Sequence, residues 1–176
     1  MSRPNAVALA MLLIATSAHA LTPDEIKRLP SAEVERKLVN EHPASYYAYA
    51  TRLFGEGKKD DAVLWFYIGQ LRYRFHLKAN PNLNPSGDPA LFSSLSATVG
   101  QQINQWAGGN VGDWIKQIDR ALKWDEETPN GFTSKQKFKA EYDDIRTGLK
   151  SMRAQLESQI DQIRAQRTKA GLENRN

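Results

Sequence analysis

Hydrophobic positions over residues 21–176 recur at three- and four-residue intervals almost throughout, the period of helices that bury one face. Thr22-Pro23-Asp24-Glu25 supplies an N-cap, a proline suited to the first helical position and a glutamate in the capping-box position, so a short helix is expected to run from there and stop before Pro30. Ser31 is placed to cap a second, with Val34, Leu38 and Val39 on one face, ending near Asn40 and before Pro43. A third segment starts at Ser45. Asp88-Pro89 opens a helix carrying Phe92, Leu95, Val99, Ile103 and Trp106, closed by Gly108-Gly109, and residues 110–123 repeat the pattern with Trp114, Ile115, Ile118 and Leu122. The longest helix is expected from Ser134, with Phe138, Tyr142, Ile145, Leu149, Met152, Leu156, Ile160 and Ile163 in near-heptad steps and Gly171 as its C-cap. No segment alternates cleanly enough for a strand. The pattern predicts an all-α fold, a compact multi-helix domain with a long C-terminal helix. The heptad stripe is either a dimer seam or a face packed on the other helices. The second is preferred, because a single helical domain needs such a stripe for its own core.

Residues 1–20 follow a different logic. A positive start (Met1-Ser2-Arg3), an apolar run from Ala6 to Thr16 and Ala18-His19-Ala20 make the three parts of a secretory signal peptide. The run is about half the length needed to span a bilayer, so no membrane insertion is expected. The mature chain is expected to begin at Leu21, to form one domain over 21–176 and to work in a periplasm.

Composition narrows the function. Without Arg3 the mature chain carries 23 Lys and Arg against 20 Asp and Glu, too small and dispersed an excess to point to nucleic acid. The chain has no cysteine, so packing alone must hold this exported domain together, and thiol chemistry and Cys-ligated zinc are excluded. His42 and His76 each lack a partner at helical ligand spacing. No nucleophile elbow, zinc-binding His pair or phosphate loop is present, and the carboxylate pairs Asp60-Asp61 and Asp143-Asp144 read as solvated charge. Catalytic residues, metal ligands, cofactor and small-molecule substrate are all expected to be none, and a lytic enzyme is the least favoured reading.

Two stretches break the helical pattern. Residues 80–88 (NPNLNPSGD) place Asn80, Asn82, Asn84, Ser86 and Asp88 on alternate positions, but with a single carboxylate this is a structured turn and no calcium loop. Residues 124–133 (WDEETPNGFT) combine acids, a Pro-Asn-Gly turn and two large aromatics. They are read as a protruding partner-binding loop, with Trp124 as anchor, Asp125, Glu126 and Glu127 as charged rim, and Asn130 and Phe132 beside them. The alternative is a plain helix connection whose Phe132 tucks into the core.

Between Tyr46 and Phe75 the chain is crowded with aromatics. Consecutive side chains such as Trp65, Phe66 and Tyr67 diverge by about 100° on a helix, so not all can share one buried face. Either Tyr47 and Tyr67 join a partner surface, or this helix is sandwiched between others. The spacing Tyr46, Tyr49, Ala50, Leu53, Gly57, then Ala62-x-x-Trp65-Phe66-x-x-Gly69, resembles one tetratricopeptide or Sel1-like helix-turn-helix repeat. With the exported, cysteine-free, all-helical build, this block resembles the small periplasmic immunity proteins of type VI secretion effectors. That resemblance implies a non-enzymatic inhibitor that occludes a toxic lipase or cell-wall hydrolase, its cognate effector. The alternative is a periplasmic adaptor or assembly factor that uses the hairpin as a groove.

Overall fold

Why one helix in this chain has aromatics on all sides is answered by its place in the molecule. The computed structural model describes residues 20–175, and the leader reading for 1–20 lies almost wholly outside them. In chain order the helices are α1 (Pro23–Arg28), α2 (Ser31–Leu38), α3 (Ala44–Gly55), α4 (Lys59–Ala79), α5 (Asp88–Ala107), α6 (Val111–Glu127), α7 (Lys139–Ser158) and α8 (Ile160–Lys169), with no strand among the described residues. The fold is all-α. Central α4 is packed against α3, α5, α6 and α7, and every residue from Ala62 to Gly69 is buried. The sandwiched-helix reading of the aromatics is therefore the right one. Tyr47 and Tyr67 are 0% and 1% exposed, inside the core and not on a partner surface.

Helices α3 and α4 form an αα-hairpin. Gly57 turns it at φ +80°, a conformation that glycine enters without a Cβ penalty, while Lys58 N–H closes back on Leu53 O at 3.0 Å. Gly69 lets the pair close tightly: a Cβ there would lie 2.8 Å from Tyr46 Cβ. Local signals placed most boundaries. The Thr22–Glu25 capping box is formed, Asn110 caps α6 by accepting from Asp113 N–H, and Gly171 ends α8 at φ +70°.

Several boundaries differ from expectation. Pro30 is the N-cap of α2 and Ser31 its first residue, and α3 begins at Ala44. The expected long last helix is two. It starts at Lys139, because Lys135 is drawn inward to the carbonyls of Asp125 and Thr128 and residues 135–138 form turns. It breaks at Gln159 (φ −114°, ψ 14°), where Ser158 Oγ bonds Gln155 O in competition with the helix ladder. The heptad stripe is a packing face: Leu156 is buried, and Tyr142, Ile145, Leu149, Met152, Ile160 and Ile163 lie against the core.

Candidate functional site

Three connections meet at the C-terminal end of α4: 39–43, 80–87 and 128–138. Asp88, the first residue of α5, joins them through its carboxylate. Its Oδ1 lies 3.1 Å from His42 Nε2 and its Oδ2 3.1 Å from His76 Nε2, and Tyr73 OH donates to Oδ1 at 3.3 Å. The rings of His42 and His76 both pack against Phe132, edge-on and tilted respectively, each at 4.9 Å between centroids. Phe132 is held from behind as well. Asn130 Oδ1 accepts from the backbone N–H of Phe132 and of Thr133, and Gly131 N–H donates to Val39 O at 3.0 Å. A Cβ at 131 would come 2.0 Å from Asn40 Oδ1, so a larger residue there would displace the Asn40 side chain. The result is an aromatic ring that stays 40% exposed on a loop tied down on both sides.

The proton positions decide what the two histidines can do. Ala44 N–H donates to His42 Nδ1 at 3.1 Å, so that nitrogen carries a lone pair and the ring proton sits on Nε2, pointing at Asp88. His76 Nδ1 faces Thr133 Oγ1 at 3.1 Å and Asn80 Nδ2 at 3.3 Å, and its Nε2 likewise meets Asp88. Every ring nitrogen is thus engaged, and neither imidazole offers a free base. By distance the cluster could ligate a metal, since its ligand atoms lie within 4.8 Å of one another. A metal-bound imidazole, however, keeps its proton on the nitrogen away from the ion. On His42 that nitrogen accepts from Ala44, so the donor set fits a hydrogen-bonded clasp better than a metal.

The clasp gives a signed pH dependence. Burial alone would raise the Asp88 carboxyl, but the hydrogen bonds and charges of His42 and His76 outweigh it and hold the group below its ordinary 3.8. Burial lowers His76 below its ordinary 6.5, against the opposing pull of Asp88. Both groups bind protons less readily folded than unfolded, so both contributions to stability are present at neutral pH and lost on acidification. Stability is expected to decline as pH falls below 6.5 through His76, and again below 3.8 through Asp88. Thermal melts across that range check this, and His76→Gln should remove the upper decline. A wild-type melting temperature that rises on acidification would contradict it.

Of the residues expected to meet a partner, the structure keeps few at the surface. Trp124 is not a loop residue: it lies in α6, its ring 5.1 Å from Trp65 and 6.4 Å from Tyr46, with the Arg72 guanidinium 4.8 Å above it. Asp125 is 0% exposed and cannot be a rim charge. Its Oδ1 accepts from Arg72 Nε at 3.0 Å and its Oδ2 from Tyr142 OH at 2.8 Å, and Lys135 and Arg146 approach Oδ2 to 3.5 and 3.6 Å. Glu126 and Glu127 are exposed but paired with Arg146 and Lys123. Asn130 shapes the turn. Phe132, Glu126 and Glu127 have the expected exposed positions, and Phe132 does not tuck into the core.

His42, His76 and Asp88 escaped the sequence reading because no local spacing joins them. They are brought together across the bundle, with 46 residues separating His42 from Asp88. No protein-family model matches the chain, and no curated protein or solved structure does.

Proposed function

We propose that the chain is an exported, non-enzymatic binding protein, a periplasmic immunity protein that occludes a toxic effector, and that Phe132 is its anchor. The observation that carries this is the rigid, exposed ring on its histidine clasp. An aromatic that is already ordered loses little freedom on docking, and aromatics are enriched among residues that dominate binding energy. The surroundings fit. From Ala79 to Gly112 the chain carries one charge, Asp88, and that one is taken up by the clasp. Interface centres are depleted in charge in the same way. Leu91, three residues beyond Asp88, is the other large hydrophobic exposed to solvent among the described residues, at 42%. The adaptor reading needs the aromatic faces of hairpin α3–α4, which α5, α6 and α7 cover. The core begins at Leu21, the residue with which a cleaved chain would start.

The test is protection. Export of the candidate effector, sought first among the products of neighbouring genes, should arrest growth, and co-export of the chain should restore it. Phe132→Ala should lose protection and weaken binding by about 2 kcal/mol or more, with its melting temperature kept. Failure of the wild-type chain to relieve arrest rejects the immunity reading. Equal protection by Phe132→Ala rejects Phe132 as the anchor.

A further inference from the structure

A second surface lies away from Phe132, along the seam of α4 and α7. Leu71 forms its floor and Ile145, Leu149 and Met152 its apolar wall, Gln70, Asp144, Thr147 and Ser151 also line it, and the half-open groove has a volume of about 470 Å³. Two features there have capacity to spare: a glycine that no packing requires and a guanidinium without a hydrogen-bond partner among the described residues. Gly148 sits in the middle of α7, where glycine costs helix stability, yet a Cβ at this position would meet nothing within 4 Å. No internal packing requires it, and it leaves the groove wall open. Arg74 is exposed on the opposite side. Its guanidinium rests over the Phe92 ring at 5.1 Å and makes no hydrogen bond or ion pair among the described residues. The nearby carboxylate, Asp144, is already bonded to Lys78.

We infer that this groove binds a single-chain fatty acid, with the carboxylate on Arg74 and the hydrocarbon tail along Leu71, Leu149 and Met152. The chemistry of the walls selects this occupant. Both walls are helices whose backbone groups are satisfied internally, so an extended peptide would leave its own N–H and C=O groups unpaired on an apolar floor. A partner helix, about 10–12 Å across with its side chains, is too wide to sink between two helices already in contact. An acyl chain has no polar group along its length, and methionine adapts its shape to such a tail. The planar guanidinium matches a carboxylate with two parallel hydrogen bonds.

The experiment is a fluorescence titration of the full mature chain with cis-parinarate, followed by displacement with dodecanoate and with dodecanol. Saturable binding is expected, with dodecanoate displacing the probe more effectively than the alcohol. Arg74→Gln should weaken dodecanoate about tenfold, the scale of one charge-assisted contact, and leave dodecanol unchanged. Gly148→Leu should fill the groove and abolish probe binding, while its melting temperature stays at or above that of the wild type because leucine favours a helix. Absence of saturable binding to the wild type overturns the inference. So does equal displacement by acid and alcohol, or full affinity in Gly148→Leu. If Gly148→Leu loses growth protection while the wild type binds no probe, the groove serves a protein partner and the fatty-acid assignment is wrong. Protection through Phe132 is a separate readout, so the two proposals fail separately.

Discussion

Replacing Asp125 with alanine is expected to destabilise the fold by about 3–5 kcal/mol, the cost of leaving a buried charge without its partner. Arg72 is 1% exposed, and its guanidinium is almost fully spoken for. Nε goes to Asp125, Nη1 to Tyr46 OH at 2.7 Å, and Nη2 to the carbonyls of Pro129 at 2.9 Å and Thr128 at 3.3 Å. Tyr46 passes the chain on to Leu38 O at 2.6 Å. Asp125 is the carboxylate facing Arg72, Lys135 and Arg146 together. Burial already holds the Lys135 ammonium below its ordinary value despite the attraction of Asp125. Without that attraction the remaining cations repel one another in a poorly solvated place. Urea unfolding of Asp125→Ala and Asp125→Asn measures the effect, with asparagine expected to fall between alanine and the wild type. A loss below about 1 kcal/mol in the alanine variant would put Asp125 among ordinary surface pairs and refute its central role.

Phe66→Ala is expected to cost a similar 3–5 kcal/mol for a different reason, the cavity left by a large buried aromatic. Phe66 is 0% exposed, and its ring lies 5.4 Å from Tyr47 and 5.3 Å from Tyr67, both near edge-on. It also reaches into α5, where a Cβ on Gly100 would come 3.0 Å from Phe66 Cζ. The ring and the glycine therefore fit one another. Gly100→Ala should be costly in the wild type and cheaper beside Phe66→Ala, a coupling that a double-mutant cycle reads directly. Thermal and urea unfolding of the two single variants and the pair supply the numbers. A Phe66→Ala protein that melts with the wild type would refute the packing. Trp106, on the same kind of apolar stripe in the sequence, is only half-buried and should cost less on truncation.

Helical periodicity and end signals made the architecture readable, since both are local. Thr22, Asn110, Gly57 and Gly171 act within a few residues of where they stand. The order of burial was less readable. Trp124-Asp125-Glu126-Glu127 has the composition of a solvated helix end, and nothing within ten residues reveals that Arg72 lies in wait for Asp125. The same holds for the clasp. His42, His76 and Asp88 become neighbours only because α3, α4 and α5 pack as they do, and a carboxylate at the first position of a helix is ordinarily explained by the helix itself. Phe132 was legible as a residue of interest, but what holds it in place was not.

The far end of the chain is secured by other means. Helix α8 has no fully buried residue, and residues beyond it return to the corner between α5 and α6. There Arg167 donates to Gln105 O at 2.9 Å, Arg175 N–H to Gly109 O at 2.7 Å, and the Arg175 side chain to Trp106 O at 2.6 Å with its guanidinium 3.3 Å above the indole. Guanidinium clips of this kind exchange readily with water, whereas the seam beneath α4 does not. The molecule is therefore built in two tiers of permanence. The C-terminal segment is expected to open and re-close many times for each global unfolding, so its amides should exchange hydrogen long before those of α4, each opening baring the indole of Trp106.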